Sequence, residues 1–263
     1  MAVAPFRLRP VVALFGDSIT QQGFGVNGNI GWASLVAAAY TRRADVLNRG
    51  FSGYNTNHAL ELLPRVFGPL EQSQSSTSSS SSDESDSSSG MLFCTVFFGA
   101  NDATLPGEGQ HVPLETFGEN LGTIISRIRA RCQNNGHCFP IILFTPPPVH
   151  EEMWAAFREI ETSDRTNQRA REYGDKVKQV GAEHDCHVVD NWEVLMGGKD
   201  KNEFGKYLSD GLHLNESGNR LVYQAFMKLL QEKYPHLAPM EDGEGKWGKA
   251  GIPVEEKLWQ ELV

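Results

Sequence analysis

Val11-Val12-Ala13-Leu14-Phe15-Gly16-Asp17-Ser18-Ile19-Thr20 is an apolar run that stops at a glycine and then presents an acid, a serine and a threonine. Such a run reads as a buried strand ending in a tight turn. If a helix follows, the serine sits where backbone N–H groups are left unpaired, and an anion forming there would be stabilised by them. That is a useful place for an acyl-transfer nucleophile. Asp17, Ser18 and Thr20 can equally be plain helix caps, because these residue types favour caps. The serine acquires chemical meaning only through partners elsewhere in the chain.

Working outward, the same strand-then-glycine pattern recurs. A helix over about 31–42 leads to a second strand at 45–49, closed by Gly50-Phe51-Ser52-Gly53-Tyr54-Asn55-Thr56 and an amphipathic helix that Pro64 shortens or kinks. Met91-Leu92-Phe93-Cys94-Thr95-Val96-Phe97-Phe98 is continuously apolar, as expected of a strand covered on both faces in a parallel sheet, and it ends at Gly99-Ala100-Asn101-Asp102. Leu114, Phe117, Leu121, Ile124, Ile125 and Ile128 recur at helical spacing. A fourth strand at 139–145 is halted by Pro146-Pro147-Pro148, a polar helix spans about 166–184, and a fifth strand follows at 186–190. Residues 191–209 read as irregular, and Asp210-Gly211-Leu212-His213-Leu214-Asn215 precedes a helix over about 216–234. The alternation predicts an α/β fold, a five-stranded parallel sheet between two helical layers (a three-layer α/β/α sandwich), whose functional groups lie at the carboxyl ends of the strands.

Polar clusters fall at those ends. A serine hydroxyl is a poor nucleophile until a base takes its proton, and the base needs a third group to fix its tautomer. Asp210 and His213 supply both: the carboxylate can accept Nδ1–H while Nε2 faces Ser18. The oxyanion then needs preorganised donors, for which the N–H of Ser18, the N–H of Gly53 and the side-chain amide of Asn101 are of the right kind. Each alone has a dull explanation as a turn glycine, a helix cap or a packing histidine. Together, at successive strand ends, they point to a hydrolase. The G-x-S-x-G elbow of the α/β-hydrolases is missing, which excludes that fold.

Gly16-Asp17-Ser18, Gly53, Gly99-Ala100-Asn101-Asp102 and Asp210-Gly211-Leu212-His213 resemble, in order, the signature segments of the SGNH hydrolases, also called GDSL esterases and lipases. More narrowly, Gly50–Thr56, Gln110-His111-Val112-Pro113-Leu114, Thr145-Pro146-Pro147-Pro148 and Leu208–Leu214 resemble the isoamyl-acetate-hydrolysing esterase group. The resemblance covers about residues 10–234. It implies Ser18, Gly53, Asn101 and His213 as the name-giving residues, Asp210 as the third triad member, and no metal or organic cofactor. A lipase, a carbohydrate deacetylase or a thioesterase could use the same site, and a binding protein could keep the fold without the chemistry.

Composition sets the bounds. The 263 residues, 40% of them apolar and 22% charged, suit a single domain over 1–263 with an ordinary core. A net charge of −9 argues against nucleic acid or anionic membranes as partners and fits a small ester substrate better. Cys94, Cys132, Cys138 and Cys186 lack C-x-x-C spacing, so no zinc site is indicated, although Cys132, His137 and Cys138 could form a small disulfide or a metal corner. Gly23-Phe24-Gly25-Val26-Asn27-Gly28 formally matches a dinucleotide fingerprint, but Asp45 opens the second strand where the fingerprint wants an acid closing it, so we read a loop beside the site. His58 and His111 are expected at the pocket rim.

No run approaches the ~18 apolar residues of a membrane span. The basic start with Arg7 and Arg9 imitates a signal peptide whose cleavage would remove the nucleophile strand, and the sequon at Asn215 lies beside His213. Both favour the cytosol. The stretch from Glu71 to Gly90 is nearly pure serine with a few acids and reads as a disordered surface insertion at about 71–90. A tail from about 235, with Trp247 and Trp259, reads as wrapping back onto the body.

Overall fold

The strand-forming runs build one parallel sheet. Strands β1 (Val11–Gly16), β2 (Asp45–Gly50), β3 (Met91–Phe97), β4 (Ile141–Phe144) and β5 (Val188–Val189) lie in the order β2-β1-β3-β4-β5, all pairs parallel. The computed structural model describes residues 9–26, 28–67, 90–134, 138–198 and 200–239. Apart from Gly90 and residues 235–239, the expected serine-rich insertion and C-terminal tail fall outside the described residues.

The helices are α1 (Ser18–Gln21), α2 (Trp32–Ala39), α3 (Thr56–Phe67), α4 (Leu114–Asn134), α5 (Glu151–Arg158), α6 (Asn167–Glu183), α7 (Asn191–Met196), α8 (Lys201–Gly205) and α9 (Glu216–Lys233). Side chains of a strand alternate between faces, and the two cores divide accordingly. Val12 and Leu14 of β1, Phe93 and Phe97 of β3, and Ile142 and Phe144 of β4 pack with Trp32, Val36, Val222 and Phe226 from α2 and α9. Ala13 and Phe15, Cys94 and Val96, and Ile141 and Leu143 pack instead with Leu63, Phe117, Ile124 and Val177 from α3, α4 and α6. Burial on both faces is why these runs are apolar without alternation. Edge-to-face rings tighten both layers, as in Phe15 against Phe98 at 4.9 Å and Trp32 against Phe226 at 6.4 Å.

Several boundaries move. Pro64 does not end α3, which runs on to Phe67. The fifth strand shrinks to Val188–Val189 at the sheet edge. The stretch read as irregular holds α7 and α8, and α5 forms directly after the triple proline, capped by His150 Nδ1 accepting from Met153 N. Both short helices begin at an acid: Asp190 Oδ1 accepts from Glu193 N and Asp200 Oδ1 from Glu203 N. Such caps can start a helix too short and polar to show a periodic stripe.

Candidate active site

The sheet order reverses direction at β1, and there the carboxyl ends of β1 and β3 open the crevice typical of such sheets. β1 turns into α1 at Gly16, where a Cβ would lie 2.1 Å from Thr20 Oγ1 and 2.6 Å from the Phe97 carbonyl oxygen. A glycine is therefore required for the turn to close. Asp17 caps α1 by accepting from Ile19 N at 2.9 Å, and Ser18 becomes the first helical residue. Phe51 N donates to the Gly16 carbonyl and Asp17 N to the Phe97 carbonyl, so the ends of β1, β2 and β3 are stitched together.

From the far end of the chain, the loop before α9 delivers the histidine. Leu208 and Leu214 bridge antiparallel, Gly211 takes φ +97°, and a Cβ on it would lie 2.4 Å from Trp154 N, so the loop is pressed against α5. Asp210 Oδ1 accepts from Leu212 N and His213 N, which leaves Oδ2 for His213 Nδ1 at 2.6 Å. His213 Nε2 lies 2.9 Å from Ser18 Oγ. Ser18, 195 residues before His213 in the chain, thus joins His213 and Asp210 in one hydrogen-bonded row in the order expected from the sequence. Nδ1–H facing a carboxylate is the tautomer that leaves Nε2 free to accept a proton.

Gly53 takes φ +80°, and a Cβ there would meet little, with Gln110 Nε2 at 3.4 Å. A glycine serves the left-handed backbone at this position. Asn101 is buried, and its Nδ2 donates to the carbonyl of Tyr54 at 2.8 Å, so the Asn101 and Gly53 segments are brought together. A primary amide has a second N–H, which remains for another acceptor.

Asp102, which the sequence left without a role, ties the same loop to α3: its Oδ1 accepts from Thr56 N at 2.9 Å and from Thr56 Oγ1 at 2.5 Å. Gln110, Trp154 and Arg165 were also missed as part of this region. Gln110 lay in a quoted family-like segment, whereas Trp154 and Arg165 carried no motif. His58 and His111 are engaged locally: His58 Nδ1 accepts from Asn55 N, and His111 Nδ1 is 3.3 Å from Arg169 Nη2. Asn215 of the sequon caps α9 by accepting from Gly218 N, with its Nδ2 donating to the Lys206 and Leu208 carbonyls. Cys138 is a free thiol, which removes the small disulfide. Among the described residues no group of His, Cys, Asp or Glu could hold a metal ion, and no helix is long and apolar enough to cross a membrane.

The carboxylates differ sharply. Burial acts to raise Asp210, but the hydrogen bond and charge of His213 and the two backbone N–H groups outweigh it and hold the carboxyl below the usual range. Asp17 is fully buried, and burial pushes it up to about 7 against the Ile19 N–H and the charges of His213 and Arg165, with Asp102 adding to the rise. Burial likewise pushes Asp102 up to about 6 despite Thr56. Oδ2 of Asp17 and Oδ2 of Asp102 are buried with no hydrogen-bond partner among the described residues.

A carboxyl whose folded value is raised keeps its proton longer folded than unfolded, so its contribution to stability is present below about pH 4 and is lost as pH rises through 7. Asp17→Asn keeps the acceptor for Ile19 N and removes that loss. Thermal melts should show the variant gaining on the wild type between pH 4.5 and pH 8. A pH-independent gap would mean that Asp17 ionises normally in the fold.

Comparison with known proteins gives the family. The chain is 38% identical over 232 residues to an isoamyl acetate-hydrolyzing esterase 1 homolog of Bos taurus, covering 87% of this chain and 84% of that protein. It is 36% identical to a GDSL esterase/lipase of Arabidopsis thaliana, covering 89% and 90% of the two chains. Among solved structures, a lipase/acylhydrolase from Enterococcus faecalis superposes with a TM-score of 0.58 at 24% identity over 85% of this chain and 96% of that one, and an acetyl xylan esterase with 0.60 at 17% over 84% and 99%. These two show the shared fold. Residues 14–221 match the GDSL-like lipase/acylhydrolase family, a span that holds Ser18, Gly53, Asn101, Asp210 and His213. The chain belongs to that family and is a carboxylic ester hydrolase.

Proposed function

We propose that the protein is a serine esterase that cleaves carboxylic esters of short to medium acyl chains through an acyl-enzyme. The observation that carries this reading is the row Ser18 Oγ, His213 Nε2, His213 Nδ1, Asp210 Oδ2. Ser18 Oγ attacks the ester carbonyl carbon while its proton passes to His213 Nε2. The carbonyl π pair moves onto oxygen, and the resulting anion is met by the N–H groups of Ser18 and Gly53 and the free N–H of Asn101. Collapse expels the alkoxide, which takes the proton from Nε2, and Ser18 is left acylated. Water then repeats the sequence, giving its proton to Nε2, and the acid leaves as Oγ is reprotonated. Asp210 holds the imidazolium formed in each half.

A substrate with an apolar group is supported by the surroundings. Phe24, Val26 and Ile30 are exposed in the segment just after α1. Phe157 on α5 is 59% exposed and its ring lies 5.7 Å from that of Trp154, which is 6.0 Å from the His213 ring. Relatives that carry the name isoamyl acetate-hydrolyzing esterase 1 homolog are named for an ester of that kind. The reacting groups span Ser18 to His213, which supports reading 1–263 as one domain.

Incubation with an organophosphonate followed by peptide mass mapping tests the assignment. A single adduct on Ser18 with parallel loss of esterase activity is expected, because an activated serine is what such reagents capture. An adduct on Ser34 or Ser52, or full activity with Ser18 modified, would overturn it.

A further inference from the structure

One cation lies behind both loops of the site. Arg165 is 2% exposed, and its guanidinium is spent in three directions. Nη1 donates to the carbonyl of Ala100, the residue before Asn101, at 3.2 Å. Nη2 donates to Gln110 Oε1 at 3.0 Å, and Gln110 Nε2 passes the connection on to the carbonyl of Gly53 at 2.8 Å. Nε donates to Asp164 Oδ1 at 3.0 Å, which also accepts from Trp154 Nε1 at 2.7 Å. The guanidinium lies 4.6 Å from the Trp154 ring centre, and Trp154 in turn neighbours His213. The backbone on either side is pinned as well: Arg165 bridges Thr104, and Leu105 N donates to the Asp164 carbonyl at 2.8 Å.

We infer that Arg165, acting through Gln110, is the positioning residue that sets the two oxyanion arms, Asn101 and Gly53, at a fixed separation. The inference rests on the serine-esterase reading above. A carbonyl held by a donor fixes the plane of its peptide; the peptides held here are the one that joins residue 100 to Asn101 and the one that follows Gly53, which pins the Gly53 Cα on the side opposite its N–H. The Tyr54 carbonyl, on the next peptide along, receives Asn101 Nδ2, closing a ring of contacts through Arg165, Gln110, the two successive peptides either side of the Tyr54 Cα, and Asn101. Arginine suits the task because its planar fork presents donors at fixed angles, while a lysine ammonium carries the charge without the fork. The Asp164 carboxylate offsets the cost of burying the cation, which leaves both Nη groups of the fork to hold the Ala100 carbonyl and Gln110.

The test compares Arg165→Lys and Gln110→Ala with the wild type, alone and in an Asn101→Ala background. Arg165→Lys should lower kcat on the order of 10²-fold with KM little changed, the scale of a catalytic group displaced by about 1 Å. Gln110→Ala, at a half-buried position, should show a smaller fall of the same kind. The inhibition constant of a trifluoromethyl ketone, whose adduct places an oxyanion in the hole, should weaken by the same factor as kcat/KM. In the Asn101→Ala background, with one arm gone, Arg165→Lys should cost markedly less than it does alone. A merely structural role would leave its factor unchanged in both backgrounds and would not follow the ketone. Wild-type kcat in Arg165→Lys, or losses that multiply fully with Asn101→Ala, would overturn the inference. Should Arg165→Lys not fold, Gln110→Ala decides by the same criteria. Failure of Ser18 to take the organophosphonate in the wild type would instead bring down the esterase reading itself.

Discussion

Ser18→Ala and His213→Ala are each expected to lower kcat about 10⁶-fold, and the double variant is expected to be hardly worse than either. The reason lies in the row of hydrogen bonds. With Ser18 removed, His213 Nε2 has no proton to take at the point of attack, and with His213 removed, Ser18 Oγ keeps its proton, so either loss ends the same step. Asp210→Asn should cost less, about 10⁴-fold, because an amide at that position can no longer hold Nδ1–H and the imidazole is left in the wrong tautomer. Steady-state turnover of a p-nitrophenyl ester, with circular dichroism to show intact folding, reads all of these. Losses that multiply in the double variant would mean that the two residues serve separate steps.

Asn101→Ala is expected to cut kcat about 10²–10³-fold with KM little changed, or roughly 3–4 kcal/mol of barrier. One N–H of this amide already goes to the Tyr54 carbonyl, and the other strengthens as negative charge develops on the substrate oxygen. Because an amide does not titrate, the acidic limb of kcat/KM should stay where it is. Organophosphonate labelling of Ser18 should slow yet still occur. A raised KM with unchanged kcat would make Asn101 a binding residue and leave the oxyanion to the N–H groups of Ser18 and Gly53.

The sheet was legible because its central strands are buried on both faces: Val11–Phe15 and Met91–Phe97 admit almost no polar residue, and their runs end at glycines that the turns require. Edge elements were blurred for the opposite reason. β5 is short and half covered, and α7 and α8 are too brief for a helical stripe, so their caps passed as a strand end at Asp190 and a loop residue at Asp200. Within the site, Ser18, Gly53, Asn101, Asp210 and His213 could be found because each follows a strand or precedes a helix in a short local motif. Arg165 could not. It joins Ala100, Gln110 and Trp154 only through tertiary contact, and a lone arginine in a sequence reads as surface. The burial of Asp17 and Asp102 was hidden in the same way, since a carboxylate beside a serine looks like an exposed cap until the strands close around it.

The point at which the chain re-enters the sheet separates two kinds of change in this protein. β3 begins beside β1 at Gly90, whose carbonyl accepts from Val11 N, whereas the reacting groups gather past Gly16 at the opposite end of the same strand. The chain thus re-enters the sheet at the pole away from the chemistry. An epitope or a fluorescent reporter inserted just before Gly90 would therefore join the sheet at the end of β1 opposite the reacting groups.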